Sequence, residues 1–348
     1  GIGKMIRTSH YLFAALCLGS LFACSRQFTD SYIVPKWCFA VFMLFIVLAY
    51  EAVNILFYRQ NEQKDTRISV YGFIIVISCF LQAMFGVVQF FGFFQISTTL
   101  WVTGSFDNPA GFAACLCAGF PFVGFLLSDS NKYIRYVGGL IGFVIVIAVI
   151  LSQSRAGIMS IAFICFILLN MKFFHKRWVK YLSLLCFALL LSGCYWMKKD
   201  SADGRLLIWR CSVSMVKDAP WLGHGIGSFE ARYMDYQADY FRQYGLNRYS
   251  MLADNVKHPF NEYLGVLLNF GFVGLLMILA LITLLIYCYK KHPCAEKRIA
   301  FYSLISIGVF SFFSYTFTYP FTWIVTFLCI IILTKEYIAT VSYTHLRA

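Results

Sequence analysis

The sequence predicts an all-α membrane protein of about ten transmembrane helices with one large, partly helical loop on the outer side. Three observations carry this. Hydrophobic residues make up 60% of the 348 and charged ones only 13%, with a mean hydropathy of +0.71; a soluble domain of that size needs far more charge on its surface. Apolar runs of bilayer-spanning length recur from end to end, divided by short polar clusters. The runs are continuously apolar and lack the alternation of barrel strands, so the helix remains as the way to satisfy the backbone in lipid.

The first run, Tyr11 to Cys24, follows Lys4 and Arg7 as a signal peptide does, but another span comes at once, so it reads as a short membrane helix. Further runs cover Trp37 to Phe57, Ser69 to Phe94 and Ala110 to Leu127. Tyr136 to Leu151 and Gly157 to Met171 flank a polar insert, and Tyr181 to Met197 precedes a long polar stretch. Tyr263 to Tyr289, Ile299 to Phe317 and Phe321 to Leu333 complete the set. The expected organisation is a bundle of seven spans over 1–197, a loop over 198–262, three spans over 263–334 and a tail over 335–348. No Met precedes Met5, which predicts spans upstream of Gly1, and residues 341–348 break from the preceding style and read as a foreign tail.

Basic residues fix the orientation. One set of alternating loops holds Lys4 and Arg7, Arg59 to Arg67, Lys132 and Arg135, Lys172 to Lys180, and Lys290 to Arg298. The other set holds Arg26, Lys36 and Arg155. The first set is cytoplasmic by the positive-inside rule, which puts both termini inside and the long loop outside. The net charge of +13 therefore reports topology; there is no basic stripe with interleaved aromatics, and nucleic acid is excluded as a partner. Most of the 13 cysteines lie in apolar runs, and the Cys115/Cys117 pair has no second pair beside it, so neither a metal site nor a disulfide framework is expected.

Two helical patterns run through the loop. Leu206, Trp209, Val213 and Val216 share one face from Arg205 to Lys217. After the glycine-rich break Trp221–Gly227, residues Phe229, Tyr233, Tyr236, Tyr240 and Tyr244 form a second stripe. Both helices are expected to lie on the outer membrane surface; the tyrosines could stack on sugar rings, but packing against the membrane face is the favoured reading.

Three polar features on that side point to chemistry. Arg155 follows Ser152-Gln153-Ser154 at the outer end of a span; an arginine there either snorkels or binds, and the adjacent hydroxyls and Gly157 suit a phosphate. Arg205 is expected to open a loop helix after Asp203-Gly204, where backbone N–H groups and a guanidinium together hold an anion, although a solvated arginine is the bland reading; Arg210 is the rival for that role. His258 sits where the loop re-enters the membrane and suits a base near neutral pH, although a lone histidine is more often a packing residue. Taken together, two arginines and a histidine suit transfer from a diphosphate donor. Asp107 or Asn108 is the expected cap of the span that follows.

Several of these pieces resemble the O-antigen ligase and polymerase superfamily of bacterial membrane glycosyltransferases. They are Ser152-Gln153-Ser154-Arg155-Ala156-Gly157, then Gly204-Arg205 through Trp209 to Pro220-Trp221-Leu222-Gly223-His224-Gly225-Ile226-Gly227, then His258 with Asn261-Glu262-Tyr263-Leu264. Gly104 to Gly111 is similar to the superfamily's upstream Asn-Pro segment. The one departure is that Pro259 and Phe260 stand between His258 and Asn261, where the family usually has Asn directly after His. The resemblance implies inverting, metal- and cofactor-independent transfer of a glycan from a polyprenyl-diphosphate carrier on the periplasmic side of the bacterial inner membrane. It implies Arg155 and Arg205 as diphosphate binders, His258 as the catalytic base, and Arg210, Trp209, Asn261 and Asn108 as substrate-binding residues. The expected acceptor is lipid A core, as in a ligase; a growing glycan (polymerase) and protein Ser or Thr (oligosaccharyltransferase) are the alternatives. A flippase for lipid-linked sugar is more distant, because it predicts paired intramembrane charges and internal repeats.

Overall fold

Each apolar run of the sequence lies mainly in helix. The computed structural model describes residues 2–57, 66–96, 99–100, 102–173 and 175–345, and among them there is no β-strand. The helices are α1 (Ile2–Phe22), α2 (Val34–Phe57), α3 (Thr66–Phe90), α4 (Pro109–Gly119), α5 (Gly124–Leu127), α6 (Lys132–Leu151) and α7 (Arg155–Lys172). They continue as α8 (Arg177–Met197), α9 (Lys199–Asp218), α10 (Ser228–Tyr244), α11 (Glu262–Lys291), α12 (Ala295–Phe313) and α13 (Pro320–His345). Residues 59–64, which figure in the orientation argument, lie outside the described residues.

Seven of the membrane-length segments are long and apolar enough to cross a bilayer among the described residues: α2, α3, α4 with α5, α6, α7, α8 and α11. The apolar part of α1, Thr8–Phe22, is shorter. Helices α12 and α13 stand where the last two spans are expected, but α12 opens on Glu296-Lys297-Arg298 and spends inward positions on serines. Ser303 and Ser306 donate to the carbonyls of Ala118 and Cys117 at 2.7 Å each, and Ser160 meets Ser306 at 2.8 Å. These are helix–helix hydrogen bonds of the kind that bind spans in lipid.

The chain divides into two compact units. The first comprises 1–161, 288–307 and 316–348. Here α1 packs on α2 and α3, α3 packs on α6, and α4 is almost wholly buried. Leu16, Ala40 and Met43 form one of its cores, and Ser9 ties Glu51 (2.9 Å) to Tyr71 (2.7 Å).

The second unit comprises 162–287 and 308–315, so the polar loop belongs with parts of the spans on either side of it. Its core is built by α9 and α10: Leu207, Ile208, Cys211 and Met215 pack against Phe229, Tyr233, Tyr249 and Leu268. Two expectations are corrected here. The core face of α9 is set one residue along from the Leu206/Trp209/Val213 stripe, and Leu206 and Val213 are exposed; α9 is apolar on more than one face, and α10 selects among them. The upper tyrosine stripe of α10 packs against protein rather than against the membrane, with Phe229 and Tyr233 fully inside.

The glycine-rich break has a mechanical explanation. Helix α11 is interrupted at Gly271, whose φ of 67° and ψ of −161° leave the helical region. Such a break frees the carbonyls before it and the N–H groups after it, and these must find partners. The 220–225 backbone supplies all four. His224 N–H donates to Leu268 O (2.8 Å), Gly225 N–H to Asn269 O (3.0 Å), Phe272 N–H to Pro220 O (2.8 Å) and Val273 N–H to Trp221 O (3.2 Å). The backbones approach so closely that a Cβ on Gly223 would stand 2.5 Å from Asn269 C, and one on Gly271 would stand 2.4 Å from Trp221 C. Only glycine fits at both places.

Candidate functional site

In the second unit the residues around the loop's re-entry form one aromatic stack. Arg205 lies in the second turn of α9, because that helix begins at Lys199 rather than at Arg205. The expected contribution of a helix N-terminus is therefore absent at Arg205. Its guanidinium donates to the Phe313 carbonyl and sits 4.7 Å from the centroid of the Phe260 ring. Phe260 is held at φ 54°, and its ring meets Tyr315 edge-on at 5.4 Å. The other neighbour of Tyr315 is His258, stacked at 4.4 Å and 21° between planes. Rings thus link the histidine to the arginine. The two residues that separate His258 from Asn261 are what make the link: Phe260 is the middle ring, and the Pro259 carbonyl accepts from Trp209 Nε1 at 2.8 Å.

His258 is half-buried, and this burial holds its imidazolium form below the ordinary range; Lys257 acts in the same direction and Glu230 opposes it. A neutral imidazole at neutral pH is the form that accepts a proton.

Arg205 and Phe260 open onto a cavity of about 290 Å³ whose wall also carries Asp200, Asp254 and Gln237. Two carboxylates share that lining with one guanidinium, so Arg205 alone does not make the cavity an anion site. Carboxylates and an amide beside an arginine suit hydroxyl-rich ligands, which donate to the former and accept from the latter. Asn261 is engaged at the start of α11, its Oδ1 accepting from Leu264 N–H at 3.0 Å. Arg210 faces elsewhere: it is exposed and reaches the Tyr240 hydroxyl at 3.4 Å.

Arg155 belongs to the first unit, as the opening residue of α7. Gln153 before it is left-handed at φ 56°, which turns the chain sharply between α6 and α7. The flanking serines serve the two helix ends. Ser152 donates to Val149 O (2.6 Å), and Ser154 Oγ accepts from Gly157 N–H (3.2 Å). Ser152 has thereby committed its proton, whereas Ser154 keeps one to donate.

Asn108 caps α4, its Oδ1 accepting from Gly111 N–H at 3.0 Å and from the buried Tyr319 hydroxyl at 3.3 Å. The neighbouring Asp107 is pushed up from the usual carboxylate range by burial and by the Asp30 carboxylate. Three residues that hold this segment were not singled out from sequence. Lys36 is fully buried and donates to Ser105 O (2.7 Å), Tyr32 O (2.8 Å) and Ala23 O (3.2 Å). Gln89 accepts from Thr103 and Gly104 N–H at 3.0 and 2.7 Å and donates to Gly104 O at 2.8 Å. Gln82 reaches Ser105 Oγ at 2.8 Å. The available signal was a pair of glutamines seven residues apart inside an apolar span, where unpaired amides are costly.

The fold and these polar clusters define a multi-spanning α-helical membrane protein with a folded polar segment between its spans. The O-antigen ligase family matches residues 140–279, which contain Arg155, Arg205, Arg210 and His258. A ComP-specific O-oligosaccharyltransferase of Acinetobacter baylyi is 22% identical over 358 aligned positions, covering 96% of this chain and 62% of that protein. The chain spans about three fifths of the length of that curated relative. The likeness to the O-antigen ligase family thus lies on residues 140–279, the part of the chain that holds both loop arginines and His258.

Proposed function

We propose that this protein is a glycan transferase of the O-antigen ligase type, taking its glycan from a polyprenyl-diphosphate carrier in the bacterial inner membrane. The observation that carries the reading is the His258–Tyr315–Phe260–Arg205 stack, which brings a base and a guanidinium into one group. In the proposed reaction the acceptor hydroxyl gives its proton to His258 Nδ1 or Nε2 while its oxygen attacks the anomeric carbon. The anomeric carbon–phosphate oxygen bond breaks, the configuration inverts, and the diphosphate leaves on its lipid with the electron pair. Arg205 stabilises the leaving charge and Asp200 and Asp254 accept sugar hydroxyls, while Arg155 keeps the diphosphate-binding role that the resemblance implies. In this reading the chain has about ten spans, cytoplasmic termini and a periplasmic loop, the arrangement that the alternating basic loops support.

The acceptor is lipid A core, a second glycan repeat or a protein hydroxyl. The name of the Acinetobacter baylyi relative favours the protein acceptor, while the matching family carries the ligase name. The decisive experiment uses purified protein in proteoliposomes with lipid-linked glycan and each acceptor in turn. His258→Ala and Arg155→Ala should lose product by at least about a hundredfold, the usual scale for a base or charge stabiliser, while still inserting. Full activity in both variants would sink the mechanism. Lipid-linked glycan crossing the bilayer without a new glycosidic bond would make the protein a flippase instead.

A further inference from the structure

The face of α9 that carries Leu206, Arg210 and Lys217 lines a second, unassigned feature. An open groove of about 520 Å³ runs between α9 and the stretch from Tyr240 to Tyr249, a size within the range of small-ligand sites. Trp209, Arg210 and Lys217 come from one helical stripe of α9, at spacings that keep them on one side. Tyr240, Tyr244 and Arg248 form the opposite wall. No carboxylate lines the groove, and among the described residues none of its three cations forms a direct ion pair, although Arg248 donates to the Tyr249 hydroxyl and feels the Asp203 carboxylate. The nearby Arg242 pairs with Asp239 at 3.0 Å, which uses up one carboxylate of α10.

The aromatic side is equally specific. Tyr240 and Tyr244 lie one turn apart with ring centroids at 4.9 Å, and Tyr244 is 61% exposed. The Tyr240 oxygen accepts from Arg210 (3.4 Å) and from Asn247 Nδ2 (3.2 Å), so its own proton is left to donate outward. Exposed tyrosine faces receive the apolar faces of sugar rings, and unpaired guanidinium and ammonium groups receive carboxylates. The groove also begins next to the proposed base, since Trp209 both lines it and donates to the Pro259 carbonyl beside His258.

We infer that this groove binds carboxylate-bearing sugars of the glycan, the uronic-acid class, and so selects an acidic glycan chain; the inference rests on the glycan-transferase reading above. A membrane surface is the poorer fit, because the rings form walls of a concavity instead of an apolar crest that inserts into lipid.

The test uses the full chain in phosphatidylcholine nanodiscs and measures binding by titration calorimetry, independently of transfer. Tetragalacturonate should bind, weaken with added salt, and outbind neutral maltotetraose by at least tenfold. The triple variant Arg210→Gln, Lys217→Gln, Arg248→Gln should lose this preference, and the single variant Tyr244→Ala should weaken both sugars. Equal binding of the two sugars, or unchanged binding by the triple variant when it elutes as the parent does, overturns the inference. So does retention of the three cations' effect only on vesicles containing phosphatidylglycerol, which would make them lipid contacts. Assaying transfer on the same parent preparation keeps the two readings apart: tetragalacturonate binding without transfer fails the transferase alone, and transfer without binding fails the groove alone.

Discussion

His258 makes the sharpest residue-scale prediction, because its burial sets a direction. A base held below its ordinary value of about 6.5 is active above that depressed value, so the acid limb of kcat/KM should have its midpoint below about pH 6.5. Glu230 raises the value, so Glu230→Gln should move the limb to still lower pH; a shift upward would contradict the assignment. The same group bears on stability. The folded state keeps His258 neutral while the unfolded chain takes up its proton first as pH falls, so this histidine weakens the fold on acidification below about pH 6.5. Asn108 gives a different test. Its cap geometry predicts that Asn108→Ala lowers stability by about 1 kcal/mol and that Asn108→Ser restores most of it. A substrate contact would show instead as a rise in KM at unchanged melting temperature. Individual residues were legible where chemistry is scarce, as with an arginine or histidine beside a span. They were illegible where the partner is backbone: nothing around Lys36 or Gln89 in the sequence names the carbonyls and N–H groups of 103–105.

At the scale of elements, α9 separates pattern from packing. Leu207 is 1% exposed and Leu206 is 37% exposed, although the two are adjacent and identical in kind. Leu207→Ala should cost about 2–5 kcal/mol and Leu206→Ala less than about 0.5, read as melting temperatures of the purified protein. A helix with apolar residues around more than half its circumference does not announce its core face, and the choice falls to α10 and Leu268. Helix existence was plain from periodicity. The start of α9 at Lys199 was not, because Asp200, Ser201 and Gly204 read as loop chemistry. Gly223→Ala combines a φ of +72° with a backbone clash at 2.5 Å, so it should cost at least about 2 kcal/mol and detach the 220–225 segment. Faster amide exchange at His224 and Gly225 is the direct readout.

For the whole molecule, the alternating basic loops predict what reporter fusions will find. Alkaline phosphatase fused within 230–250 should be active, and fused near Lys132 or Lys291 it should be silent. The reverse pattern would invert the proposed site to the cytoplasm. Apolar length alone reveals seven of the spans with ease. Helices α12 and α13 are harder to read, since Ser303, Ser306, Thr322 and Thr334 face protein and lower the hydropathy that marks a lipid-facing helix. The division into two units was not visible either, because each is assembled from segments far apart in the chain.

The clasp between 220–225 and the interrupted α11 has a consequence for how such a protein changes over time. Both partners are main chain, so the attachment places strict demands on two glycines and almost none on exposed groove side chains such as Tyr244 and Arg248. Mutations can therefore rewrite the groove walls without loosening the anchor that positions them. A saturation scan scored for membrane expression should show intolerance at Gly223 and Gly271 beside broad tolerance at Tyr244 and Arg248. A lineage built this way can acquire a new sugar preference by drift at its surface, while the joint that holds the surface in place stays the same.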